Sequence, residues 1–279
     1  MSWLRRWGGY VALTVVFAVA CGLLSWWQWS RRAEAVERID RIEANYDAPA
    51  ADLGDLVPGV DEVAADAEWH PVTLRGEYLG DEQLLVRNRP RNGLAGYEVL
   101  VPLRLDDGRV FVVDRGWVPA GDDLEAPAAV PAPPSGEVAV VVRLRSGEPE
   151  IAGRSAPDGQ LATIHLPSVA ELVDAPVYTG MYGLVAEESP APADAPLPAF
   201  RPSLDEGSHL SYALQWIAFG VLAFLGLAWA VRRERKLATG VVPVRRRERD
   251  AEAEDALLDA QGERRDAGSR LSPPVRPTR

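Results

Sequence analysis

The chain has 279 residues and a formal net charge of −11, with 41 acidic and 30 basic side chains. Its charge is segregated: residues 1–32 carry four arginines and no acid, residues 33–210 a net of −19, and residues 211–279 a net of +4. The acidic middle argues against nucleic acid as a partner, since that needs basic surface against phosphate. The single cysteine, Cys21, excludes an internal disulfide.

Residues 1–6 form a short N-terminus bearing Arg5 and Arg6, and residues 7–30 follow without a charge. A run that long crosses a hydrocarbon core of about 30 Å as a helix, so a first transmembrane helix is expected there. "AVAC" (Ala18–Cys21) resembles a lipoprotein cleavage box, but the apolar run continues through "GLLSWWQW", where a cleaved signal turns polar. Residues 31–46 continue as an amphipathic helix with Val36, Ile39 and Ile42 on its apolar stripe. An acidic connector then runs to about Glu68.

Strand-like runs come next, at 70–79, 83–89, 97–105 and 109–118, with "DDGR" and Gly108 as a hairpin turn between the last two. Residues 120–136 are a proline-rich loop that cannot continue a sheet. A strand is expected at 137–145, and a helix at 167–173 with Ser168 and Glu171 spaced as a capping box. A last strand is expected at 176–186, and residues 189–202 read as an extended tether.

The second uncharged run is Leu210–Val231, giving a second span over 207–231. Arg232, Arg233, Arg235 and Lys236 follow it at once, whereas Arg5 and Arg6 balance Arg31 and Arg32 around the first. The positive-inside rule therefore places both termini in the cytoplasm of a bacterial plasma membrane protein. The charged tail, 232–279, is expected to be disordered. The fold class is two transmembrane α-helices flanking a β-rich (α+β) extracytoplasmic domain over 31–206, mainly antiparallel sheet, with strand order open.

The sequence has no GxSxG, HExxH, glycine-rich phosphate loop or CxxC. Ser208–His209 does not make a nucleophile–base pair, because adjacent helical residues diverge and no acid sits one turn away. An enzyme is not expected. His209, Tyr212, Trp216 and Gly220 share one helical face, with Gly220 leaving a gap for a flat group. By spacing alone the plainer reading is an aromatic belt at the membrane surface. Gln28 changes the balance, because an amide among the tryptophans of the first span needs a partner, and it falls at the same outer level as His209. In "VDRGWVP" (113–119), Trp117 is expected to pack in the core and Gly116 to turn the chain, with Arg115 an alternative anion partner. His70 and His165 read as ordinary surface histidines.

Three fragments, "WWQWSRR" (26–32), "VRNRPRNGLAGYEVLVPLRLDDGRVFVVDRGWVP" (86–119) and "GSHLSYALQW" (207–216), occur in order between and beside the two spans. Together they resemble the surfeit locus protein 1 family of cytochrome c oxidase assembly factors, over nearly the whole chain up to about Arg235. The resemblance implies a factor that binds haem a through His209; the helical face it shares with Tyr212 and Trp216, and the amide of Gln28, add those three as candidate cofactor-binding residues. Neutral imidazole is a common axial ligand of haem iron. It also implies the cytochrome c oxidase core subunit and haem A synthase as partners. The alternative is a cofactor-free membrane scaffold that docks on respiratory-complex subunits. The insert 120–136 and the charged tail have no counterpart in the resemblance.

Overall fold

The computed structural model describes residues 2–122, 125–239 and 254–255. Residues 123–124 and nearly all of the expected disordered tail beyond Thr239 lie outside the described residues, whereas 232–238, expected in that tail, continue the second long helix. The chain forms two compact units, residues 1–26 with 212–279, and residues 27–211. Two long helices are shared between them, α1 (Ser2–Asn45) and α4 (His209–Ala238).

In the first unit the two helices run antiparallel. The Ser25 hydroxyl donates to the Ala213 carbonyl at 3.1 Å, and Arg6 pairs with Glu234 at 2.8 Å. Cys21 is buried, and a Cβ built at Gly220 would lie 3.7 Å from the Cys21 Cβ. Small residues thus bring the backbones together, as in membrane helix pairs. The gap expected at Gly220 is filled by α1. Both helices are long and apolar enough to cross a membrane, by length and composition.

In the second unit α1 continues unbroken, burying Ala35, Ile39 and Ile42. Asn45 closes it by donating its amide to the carbonyls of Asp66 and Glu68. The connector contains β1 (Ala51–Asp52) and the single-turn α2 (Leu53–Leu56). The sheet proper comprises β2 (Pro71–Tyr78), β3 (Leu84–Val86), β4 (Gly96–Leu105), β5 (Val110–Pro119), β6 (Glu137–Ser146), β7 (Gln160–Leu161) and β8 (Met181–Ser189), with α3 (Leu166–Ala170) between the last two.

The sheet is not simply antiparallel. Its strands run β2–β6–β8–β5–β4, and β4 pairs back onto β2, closing a five-stranded barrel. The β5–β8 pairing is parallel, as are the short additions of β1 to β2 and β7 to β3. This is a Greek-key barrel, an architecture class that includes the OB-folds. Closure depends on Gly76, which pairs with Leu105 while also pairing with Val138 of β6. A Cβ there would lie 2.0 Å from the Arg104 carbonyl oxygen, so only glycine admits both neighbours.

Alternation decides what fills the barrel. Val138, Val140, Val142 and Leu144 of β6 join Val99, Val101, Leu103, Phe111 and Val113 in one core. The alternate residues Leu100, Val110 and Val112 turn outward and are covered by Ile164, Leu166, Val169 and Val177 in a second. That double coverage is why β5 has no polar face. Three local readings are corrected. Ser168 lies inside α3, whose N-cap is His165, so there is no Ser168–Glu171 capping box. The last strand starts at Met181, because Val177 instead forms an isolated bridge to Val110. The tether is not free: Leu197 and Trp117 exchange backbone hydrogen bonds at 2.8 Å, and Arg91 donates to the Pro198 carbonyl and stacks on Phe200.

Candidate functional site

The strap ends in a turn in which the Gly207 amide donates to Asp205 Oδ1 at 2.8 Å, with Gly207 at φ +73°. The turn delivers His209 as the first residue of α4, half-buried, with Nδ1 2.9 Å from Gln28 Oε1. An amide oxygen only accepts, so in the neutral imidazole this contact places the proton on Nδ1 and leaves Nε2 its lone pair. A Cβ on residue 207 would lie 3.5 Å from Nε2, so glycine keeps that side of the ring open. One turn along α1 from Gln28, Arg32 meets Glu206 at 2.8 Å, a second link between the same two segments.

Gln28 and His209 are therefore brought together. Tyr212 and Trp216 lie one and two turns further along α4, in the other unit, Tyr212 exposed and Trp216 edge-on to Phe219 at 5.8 Å. Arg32 and Glu206 were missed in the sequence, where Arg32 counted only in the charge balance around the first span. Their signal was there: Arg32 is four residues from Gln28 and Glu206 three from His209, the spacings of one helical face or turn.

The barrel carries a separate cleft of about 400 Å³, walled by charged side chains and roofed in part by Ala199 and Phe200 of the strap. Arg89 reaches Glu98 at 2.8 Å and Glu148 at 2.5 Å. Burial pushes the Asp114 carboxyl well above the usual range, and the neighbouring Glu98 charge adds to it, against a hydrogen bond from the Gly116 amide. Glu98 is raised by burial in spite of Arg89. For Glu148 burial pulls upward, but Arg89 and the Ile164 amide outweigh it and hold the carboxyl low. Burial and the Asp114 charge push the Tyr182 phenol far up.

Arg115 is not available to an external anion. Its side chain is fully buried, donating to Glu188 at 2.9 and 3.1 Å and to the Pro131 carbonyl at 2.9 Å. Trp117 packs in the core as expected, its indole donating to the Arg89 carbonyl at 2.6 Å. Gly116 lies within β5 rather than in a turn, at φ +126°, where the strap crosses. His70 and His165 are half-buried with local partners, the Pro71 carbonyl and the Ser168 hydroxyl.

The SURF1 family model matches residues 15–221. An uncharacterised SURF1-like protein of Mycobacterium tuberculosis is 34% identical over 269 residues, covering 92% of this chain and 96% of the relative. A SURF1-like protein of Rickettsia conorii is 21% identical over 224 residues, 79% of this chain and 89% of its own. The cytochrome oxidase assembly protein SHY1 of Saccharomyces cerevisiae is 34% identical over 58 residues, 20% of this chain and 15% of its own. The family match takes in both the Gln28–His209 contact and the whole barrel, and the chain belongs to the SURF1 family.

Proposed function

We propose that this protein is a membrane-anchored, non-enzymatic factor in cytochrome c oxidase assembly that holds haem a at His209. The observation that carries the reading is the 2.9 Å contact between His209 Nδ1 and Gln28 Oε1. Histidines that ligate metals commonly donate their other ring N–H to an oxygen, which fixes the tautomer and aims the free nitrogen. Gln28 performs that role, and Gly207 keeps the approach to Nε2 clear. A bound haem would supply the redox-active iron centre that the oxidase needs; His209 would offer its free ring nitrogen and Gln28 would hold the ring in place. The oxidase role follows that of the yeast relative, a cytochrome oxidase assembly protein. In this reading both helices cross the bacterial plasma membrane, the barrel lies outside, haem A synthase supplies the cofactor and the oxidase core subunit receives it.

The test is an absorption spectrum of the detergent-purified protein after co-expression with haem A synthase. A Soret band in the wild type that is lost in His209→Ala supports the reading. A folded wild-type protein that associates with the oxidase but shows no Soret band overturns it in favour of the cofactor-free scaffold.

A further inference from the structure

We infer that Arg32 is the anion-binding residue of the His209 site, engaging a carboxylate of the ligand, a porphyrin propionate, in place of Glu206. This rests on the haem reading above. A guanidinium recognises a carboxylate best through two N–H groups at once, and Nε with its neighbouring Nη2 forms one such fork. In Arg32 the fork is half used. Nη2 meets Glu206 Oε2 at 2.8 Å, while Nε is buried with no hydrogen-bond partner. A buried donor left unmatched is destabilising, and a ligand oxygen would relieve it.

The pair is also exchangeable. The side chains of Arg32 and Glu206 are 31% and 46% exposed, a setting in which ion pairs are weak. Arg31 lacks such a link: it pairs within α1, with Glu34 at 2.6 Å, rather than with the segment that carries His209. Position completes the argument: Arg32 follows Gln28 by one turn of α1, and Glu206 precedes His209 by three residues. The guanidinium is thus tied, through Glu206, to the segment that presents His209. A haem presents its iron and its propionates from one rigid plane, which suits a nitrogen ligand and an arginine on linked segments.

The experiment titrates the full-length protein in detergent with haem A and with haem A dimethyl ester, reading the Soret band. Wild type is expected to favour the free acid about tenfold over the ester, the scale of one charge-assisted hydrogen-bonded contact. Arg32→Gln should lose that preference by weakening only the free acid, with ester affinity and the band position unchanged. Glu206→Gln, which breaks the same ion pair but keeps the arginine, should retain or increase the preference, and Arg31→Gln should match wild type. Should Arg32→Gln fail to fold, Arg32→Lys replaces it and should show a reduced preference. Equal affinity of wild type for acid and ester, or an undiminished preference in the Arg32 variants, overturns this inference alone. No band with either haem overturns the haem reading itself.

Discussion

Arg115 and Glu188 lie 73 residues apart and meet through two hydrogen bonds, of 2.9 and 3.1 Å, with both side chains almost wholly out of water. The Tyr78 hydroxyl donates to the same Glu188 oxygen at 2.7 Å. Removing one member strands a buried charge, so Glu188→Ala should destabilise the protein by roughly 3–5 kcal/mol. Replacing both, Arg115→Met with Glu188→Leu, should restore much of that. Denaturant unfolding of the detergent-purified chain, followed by tryptophan fluorescence, decides it. A single-variant loss below about 1 kcal/mol would mean the pair is not a structural tie.

Asp114 gives a pH signature of known sign. Its carboxyl is raised by burial and by Glu98, so the folded state holds a proton that the unfolded chain gives up above about pH 4. Its contribution to stability therefore falls as pH rises through the window between the unfolded and folded values, by up to about 1.4 kcal/mol per unit. Asp114→Asn keeps an oxygen for the Gly116 amide and removes the titration. Relative to wild type, the variant should gain stability as pH rises above the ordinary carboxylate range. Glu148 has the opposite sign: held low mainly by Arg89, it supports the fold above about pH 4.3 and loses that support as the carboxyl is protonated. Parallel stability profiles for wild type and Asp114→Asn would show that Asp114 ionises normally.

How much of this could be read from the sequence differs from residue to residue. The two long apolar helices and most strands were legible because composition and period-two alternation act locally. Barrel closure was not, because it depends on Gly76 meeting Leu105, a pairing that nothing local encodes. The strap was misread for a related reason: a proline-rich stretch has no period, and its anchor is a backbone exchange with Trp117, 80 residues away in sequence. The contact between Gln28 and His209 was legible, since a lone amide in an apolar run demands a partner. Arg32 was not, since a charge at the end of a span satisfies itself in water.

Gly116 is where the strap can be tested. Its φ of +126° suits glycine alone, and a Cβ would lie 2.4 Å from the Leu197 carbonyl oxygen. Gly116→Ala should cost more than about 1 kcal/mol and push residues 196–200 off β5. Limited proteolysis should then cut within 190–206 faster than in wild type. Gly54→Ala, at a position with open space, serves as the control. Equal cleavage of all three would mean that the strap is already mobile.

The proposed topology rests on the four cations directly after the second apolar run. Periplasm-active reporters fused after Ala35 or within 120–136 should be active, and one fused after Lys236 should be silent. Cytoplasmic signals from the 120–136 fusion would overturn the arrangement and remove the reason for placing His209 at the outer surface.

Gln28 is the sharpest probe of the site, because its effect on the imidazole is indirect. Gln28→Leu deletes the acceptor at Nδ1 while adding apolar surface to a helix already long enough to span, so insertion and folding should not suffer. Without that acceptor the imidazole is free to change tautomer and to rotate, and the nitrogen aimed at the ligand is no longer fixed. Losses of 10–100-fold in affinity are typical when such a partner of a metal-bound histidine is removed, and haem retention should fall on that scale. Gln28→Glu keeps an acceptor in place and should retain the Soret band. The two variants separate orientation from bulk: a structural role for the side chain predicts equal damage from both, whereas the tautomer argument predicts loss only with leucine. Haem titration of the purified variants, with membrane integration checked by carbonate extraction, reads the difference. If Gln28→Leu binds haem as wild type does, the hydrogen bond to His209 has no part in ligation and joins the helix ends only as a packing contact.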